Sequence, residues 1–190
     1  MAFDYPVFLD LRGVPVLVVG GGAVAARKIE GLLEGGAEVT VVAPRLAPAV
    51  AALAEAGRLR HVPRGYGADD LVGQRLVLTA TDDRVVNTRV AADATQCGLW
   101  VNSADDPANC SFALPAVARQ APVVVAVSTG GASPALASHL RDRIADELFD
   151  ERLTSAAREL ARQRDEIRSA GGSTESVEWG DRIRRALAGE

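Results

Sequence analysis

Residues 14–25 read VPVLVVGGGAVA, and this stretch decides the fold. Residues 14–20 are a short apolar run rich in valine, the pattern of a strand buried on both faces, as parallel sheets require. Gly20-Gly21-Gly22-Ala23-Val24-Ala25 then fits G-x-G-x-x-A. It opens an amphipathic stretch, residues 23–34, in which Ala25, Ile29, Leu32 and Leu33 share one side of a helix. In such a turn Gly20 permits the tight bend, Gly22 lets backbone approach a pyrophosphate, and Ala25 allows close helix–strand packing. The first N–H groups of the helix, from Ala23 and Val24 onward, have no partner within it and favour an anion. A glycine turn serving packing alone is the competing explanation, and the strand–turn–helix setting argues against it.

Outward from this unit the rhythm repeats. Residues 37–43 form a second buried strand closed by Pro44, and residues 46–56 a helix with Pro48 in its first turn. Further strands are expected at 59–62, 75–81 and 99–103, with a helix at 84–95. Alternating strand and helix signals a parallel sheet covered on both faces. The pattern breaks near Asp105. Residues 112–119 and 123–129 read as two strands joined at Gln120-Ala121-Pro122, followed by a helix over 133–149 with Leu136, Leu140, Ile144 and Leu148 every four residues. Two more helices follow, 153–167 with Ala157, Leu160 and Ala161 on its apolar side, and 176–188 presenting Trp179, Ile183 and Leu187. The expected fold is α/β: a Rossmann-type parallel sheet over 1–111, a small α+β dimerisation domain of hairpin and helix over 112–149, and a helical tail over 150–190.

The bulk properties narrow the function. In 190 residues, 48% hydrophobic, a sizeable core is available, and a net charge of −4 argues against nucleic acid as a partner. Basic residues are nearly all arginine; Lys28 is the only lysine. Cys97 and Cys110 make neither a disulfide framework nor a metal-ligand spacing, which fits a reducing cytoplasm. Residues 1–15 contain Asp4 and Asp10 and no long apolar run, unlike a signal peptide, and no run is long enough to span a membrane. A soluble cytoplasmic protein is expected.

The cofactor crevice should lie beyond the carboxyl ends of the strands. There the second strand ends in Ala43-Pro44-Arg45 in place of the acidic residue that binds ribose hydroxyls. Arg45 would favour a 2′-phosphate and hence NADP, and a solvated arginine explains it equally well, so the residues leave NAD or NADP open. Thr81 and Asp82, after the fourth strand, are placed to line the crevice; either also suits an N-cap for the next helix. Pro44, Arg45 and Asn102 complete the expected cofactor-binding set with Gly20, Gly22, Ala23, Val24, Thr81 and Asp82.

Five motifs then occur in a fixed order: GGGAVAARK at 20–28, ATDD at 80–83, NSADDP at 102–107, FALP at 112–115 and AVSTGGASP at 126–134. Together they resemble the precorrin-2 dehydrogenase/sirohydrochlorin ferrochelatase family, which includes the N-terminal module of sirohaem synthase. The likeness runs from about residue 7 to 148. It implies a homodimer that oxidises precorrin-2, a tetrapyrrole, to sirohydrochlorin in sirohaem or cobalamin synthesis, with NAD as hydride acceptor.

The resemblance assigns the critical aspartate to Asp105, with Asp106 second. By residue type alone, either is a turn residue before Pro107. The loop Ser128-Thr129-Gly130-Gly131-Ala132-Ser133 becomes a tetrapyrrole-facing segment. Its N–H groups would form an anion nest at a helix start, or else the loop is a plain glycine turn with Ser133 as N-cap. Arg119, Arg141 and Arg143 lie nearby in sequence and would pair with substrate carboxylates, or else each is a solvated surface charge. No metal-ligand cluster is expected, and His139 stands alone on a helix. Iron insertion is a second activity in some members, and a dehydrogenase without it ranks first here. A non-catalytic NAD-sensing or tetrapyrrole-binding module, and a dehydrogenase for another small acid, are the readings from other classes.

Overall fold

The computed structural model describes residues 3–189; Met1, Ala2 and Glu190, at the outer edges of the first and last expected domains, lie outside the described residues. The chain divides into two compact units that meet in sequence at Leu114 and Pro115.

In the first unit, β1 (Pro15–Val19), β2 (Glu38–Val42), β3 (Arg60–Val62), β4 (Leu76–Thr79) and β5 (Trp100–Ser103) form one parallel sheet in the order β3-β2-β1-β4-β5. Between them run α1 (Ala23–Glu34), α2 (Pro48–Glu55) and α3 (Arg84–Gln96). Alternation along each strand sorts the core into two layers. Val16, Val18, Val39, Val41, Leu76 and Leu78 pack with Ala25 and Ile29 of α1 and Val50 of α2. Leu17, Val19, Val42, Val77 and Val101 pack with Val90, Ala91 and Ala94 of α3 on the other face. This is why the strands read as unbroken apolar runs: both faces are covered. Val19 lies beside Val42 and Thr79, Val42 beside Val62, and Thr79 beside Ser103, so all five strands end level. Strand order reverses between β1 and β4, the place where open α/β sheets bind ligands.

In the second unit, β6 (Ala116–Gln120) and β7 (Val123–Val127) form an antiparallel hairpin turned at Ala121-Pro122. Then come α4 (Pro134–Leu148), packed on the hairpin, and α5 (Glu151–Ser169), packed on α6 (Trp179–Ala188). Gln120 Nε2 ties the hairpin to the start of α5, donating to Asp150 O at 2.7 Å and to Thr154 Oγ1 at 3.0 Å. Asp150 caps α5 through Leu153 N at 2.8 Å.

Several sequence expectations need correction. The first hairpin strand starts at Ala116, not residue 112, because Asn102 engages Phe112 O and Phe112 packs against the first unit's core. In α4 it is Ala137 that is buried, while Leu136, Leu140 and Leu148 are 48%, 37% and 59% exposed. A short side chain lets α4 lie close on the hairpin, and the leucine row is rotated outward. In α5 the buried residue is Ala156, beside the expected Ala157 and Leu160 face. In α6 it is Ala186, with Ile183 and Leu187 exposed. Helix α6 begins at Trp179, not residue 176; Ser176 Oγ donates to Ser173 O at 3.3 Å and belongs to the preceding turn. Among the described residues no helix is long and apolar enough to cross a membrane.

Candidate dinucleotide site

The glycine turn is shaped by contacts that only glycine allows. Gly20 sits at φ +115°, and a Cβ there would collide with Ala80 O, so β1's exit touches β4's end. Gly21, an unspecified position in the motif, is equally constrained: a Cβ would come within 2.6 Å of Arg45 O and 2.7 Å of Leu46 Cδ2. Ala47 N–H donates to Gly21 O at 2.7 Å, clamping the turn to the β2–α2 connection.

Gly22 differs: a Cβ built on it meets nothing within 4 Å. Gly22, Ala23 and Val24 are exposed, α1 starts without a side-chain cap, and no acidic residue stands in its first turn. A helix N-terminus left open in this way suits a phosphate. The chain therefore fits the dinucleotide its motif implies, with the pyrophosphate on the N–H groups of this turn.

Beyond β2, Pro44, Arg45 and Leu46 line an open hollow of about 470 Å³ with Ala51, Ala54, Glu55 and His61. His61 Nε2 lies 2.9 Å from Ala43 O, which fixes the ring against the end of β2.

At the end of β4 the expected N-cap is corrected. Asp83, not Thr81 or Asp82, caps α3, accepting from Val85 N at 2.8 Å and Val86 N at 3.2 Å. Thr81 is held by a residue that sequence reasoning missed. Asn87, only 6% exposed, accepts from Thr81 N at 3.2 Å and Thr81 Oγ1 at 2.8 Å, donates to Thr81 O at 2.9 Å, and takes the hydroxyl of Thr79. The signal was available: Asn87 stands on the Val90, Ala91 and Ala94 face of α3, a polar residue in an apolar stripe. Asp82 is exposed.

After β5, Asp105 is exposed and sits at φ +56°, the only non-glycine residue in the left-handed region among the described residues. Asp and Asn tolerate that region better than most, yet it marks strain. The two acids differ in availability: Asp106 Oδ2 is spent on Asn109 Nδ2 at 2.6 Å. Asn102, expected at the cofactor, is 7% exposed, with Nδ2 donating to Phe112 O at 2.9 Å and Oδ1 accepting from Lys28 Nζ at 2.8 Å. Cys110 Sγ sits beneath the same loop, accepting from Ser103 N at 3.1 Å and reaching Ser103 O at 3.2 Å. Burial raises the Cys110 thiol above its ordinary pKa, which keeps it protonated.

In the second unit, Gly130 and Gly131 both have positive φ, and the loop bonds largely to itself. Gly130 N donates to Ser128 Oγ at 3.1 Å, Ala132 N to Thr129 O at 3.0 Å, and Ser133 N to Thr129 Oγ1 at 3.0 Å. Ser133 caps α4 through Leu136 N at 3.2 Å. Arg119 is exposed; Arg141 pairs with Asp142 and Arg143 with Glu147, both at 2.7 Å. No group of three or more potential metal-ligating side chains exists among the described residues.

A β3-β2-β1-β4-β5 parallel sheet, with an open glycine turn at its switch point, defines a Rossmann domain for a nicotinamide dinucleotide. Comparison with known proteins agrees. The family model described as putative NAD(P)-binding matches residues 7–116, and that for the sirohaem biosynthesis protein central region matches 123–147. A siroheme synthase of Methylococcus capsulatus is 46% identical over 88% of this chain and 35% of its own length. One from Chromobacterium violaceum is 48% identical over 74% of this chain and 30% of its own. The chain thus spans about a third of the length of these curated relatives. A solved structure titled SirC, precorrin-2 dehydrogenase, superposes with a TM-score of 0.76 at 31% identity, covering 97% of this chain and 98% of that one. The chain belongs to the precorrin-2 dehydrogenase/sirohydrochlorin ferrochelatase family.

Proposed function

We propose that this chain is a precorrin-2 dehydrogenase, oxidising precorrin-2 to sirohydrochlorin with NAD as acceptor. One observation carries the reading: the match to a precorrin-2 dehydrogenase spans nearly the whole length of both chains, and so takes in the hairpin and helices as well as the dinucleotide domain.

The oxidation removes a hydride and a proton from the reduced tetrapyrrole. NAD, when bound, supplies the hydride acceptor. The N–H groups of Gly22, Ala23 and Val24 hold its phosphates, and Gly20 keeps that backbone against β4. Pro44, Arg45, Thr81 and Asp82 edge the crevice, while Asn102 supports it from within. Asp105, exposed and without the internal bond that occupies Asp106, accepts the proton. Ser128, Thr129, Gly130, Gly131 and Ser133, with Arg119, face the substrate's carboxylates. NAD is preferred over NADP on the family resemblance, with Arg45 and Glu55 both lining the hollow beyond β2.

The exposed Leu136, Leu140 and Leu148 of α4 form an apolar row suited to a homodimer. On this reading residues 1–111 bind the dinucleotide, 112–149 dimerise and 150–190 form a helical tail. Free Cys97 and Cys110 are consistent with a cytoplasmic setting. A second reading adds ferrochelatase activity, favoured by the identity to siroheme synthases, with iron as substrate and Asp105 taking the pyrrole protons.

The test is an anaerobic assay of precorrin-2 with NAD and, separately, NADP, followed by Fe(II) or Co(II). Sirohydrochlorin and reduced NAD should appear together, faster than with NADP. No nucleotide reduction with either cofactor contradicts the proposal, and metal-dependent loss of the sirohydrochlorin spectrum supports the second activity.

A further inference from the structure

The only lysine of the chain lies one and a half turns into α1, half-buried, and reaches across to the end of β5. Its ammonium donates to Asn102 Oδ1 at 2.8 Å; Asn102 Nδ2 donates in turn to Phe112 O at 2.9 Å and lies 3.8 Å from Cys110 Sγ. Lys28 and Asn102 thereby brace both ends of the segment 102–112, whose middle carries Asp105 in its left-handed conformation. A half-buried lysine that ends on a neutral amide is costly and needs a structural return. We propose that Lys28 is a positioning residue for Asp105: through Asn102 it locks the β5 exit loop so that this aspartate stays extruded toward the reacting substrate.

Two further facts fit. Burial is the main effect on Lys28 and lowers its pKa, while Cys110 and Asp105 raise it and Arg27 lowers it; the ammonium thus senses charges of the loop it braces. The charge-assisted bond to Asn102 is stronger than a neutral one, so a fixed ammonium makes a stiff brace.

The inference rests on the dehydrogenase reading for its kinetic part only, and the two are tested separately on the full chain. Hydrogen exchange without substrate reads the brace. K28M should speed exchange at least about tenfold across residues 103–112 and leave β1 and β2 protected, as local opening does. K28R, which keeps a cationic donor, should restore protection. Unchanged exchange at 103–112 in K28M overturns the proposal, whether or not the parent oxidises precorrin-2. With an active parent, K28M should lower kcat about 10–100-fold, the scale of a misplaced catalytic group, with KM for precorrin-2 and NADH affinity within about twofold. In a D105N background the same substitution should cost nothing more. An equal loss in that background, or a fall in NADH affinity matching the fall in kcat, overturns it.

Discussion

Asn87 holds Thr81 by both ends of its amide, accepting from the Thr81 N–H and hydroxyl and donating to the Thr81 carbonyl at 2.9 Å. One side chain on α3 thus sets the backbone that leaves β4, directly against the glycine turn leaving β1. Asn87→Ala removes these bonds and strands the buried Thr79 hydroxyl, at a cost of about 1–3 kcal/mol. Urea unfolding should show that loss, and fluorescence titration should show weaker NADH binding. Unchanged NADH affinity would mean that Thr81 does not shape the crevice.

The glycines of the turn should separate folding from binding. Gly20→Ala meets Ala80 O at a left-handed φ and should destabilise by more than about 2 kcal/mol. Gly22→Ala meets nothing and should cost at most about 1 kcal/mol, the N-cap preference for glycine over alanine. Its methyl stands where pyrophosphate must approach, so NADH affinity should fall at least about tenfold, or ~1.4 kcal/mol. Thermal melts with and without NADH distinguish the two. A Gly22→Ala protein that NADH stabilises like the parent would move the phosphates elsewhere.

How much of this was legible in the sequence follows from where the physics is local. The glycine turn with β1 and α1 is set by near neighbours within residues 14–34, and the other strands by their own short apolar runs. Which residue makes the closest contact in α4, α5 and α6 was not legible, because alanine, not leucine, marks it there. Periodicity weighs size and hydrophobicity, whereas helix packing rewards a small residue where backbones approach. The Lys28–Asn102 contact joins residues 74 apart, and no local pattern announces it beyond a single lysine among arginines. Asp105 was reached through the family motif; its backbone conformation emerged only with the fold.

Asp105 should display opposed demands of stability and chemistry. Asp105→Gly relieves a φ of +56° and should stabilise by up to about 1 kcal/mol, less the entropy that glycine adds to the unfolded chain. Activity should fall about 10²–10⁴-fold, the worth of a general base. A melting temperature well below the parent's would show that the Asp105 side chain also holds the loop.

The apolar row on α4 gives a test of assembly. Leu140→Asp places a charge on a surface 37% exposed in the single chain, so it should leave the protomer folded and shift sedimentation from dimer to monomer. A parent that sediments as a monomer, or a Leu140→Asp protein that sediments as the parent does, would contradict a dimer built on this row.

On the proposed reading a hydride passes from precorrin-2 to the dinucleotide while Asp105 takes the proton. Anaerobic single-turnover absorbance with saturating NAD, comparing parent with Asp105→Asn, reads that step, because asparagine keeps the shape and tolerates the same backbone. The expected result is one NADH per sirohydrochlorin in the parent and a rate at least about 10²-fold lower in the variant at unchanged NADH affinity. Equal rates in the two proteins would contradict the account.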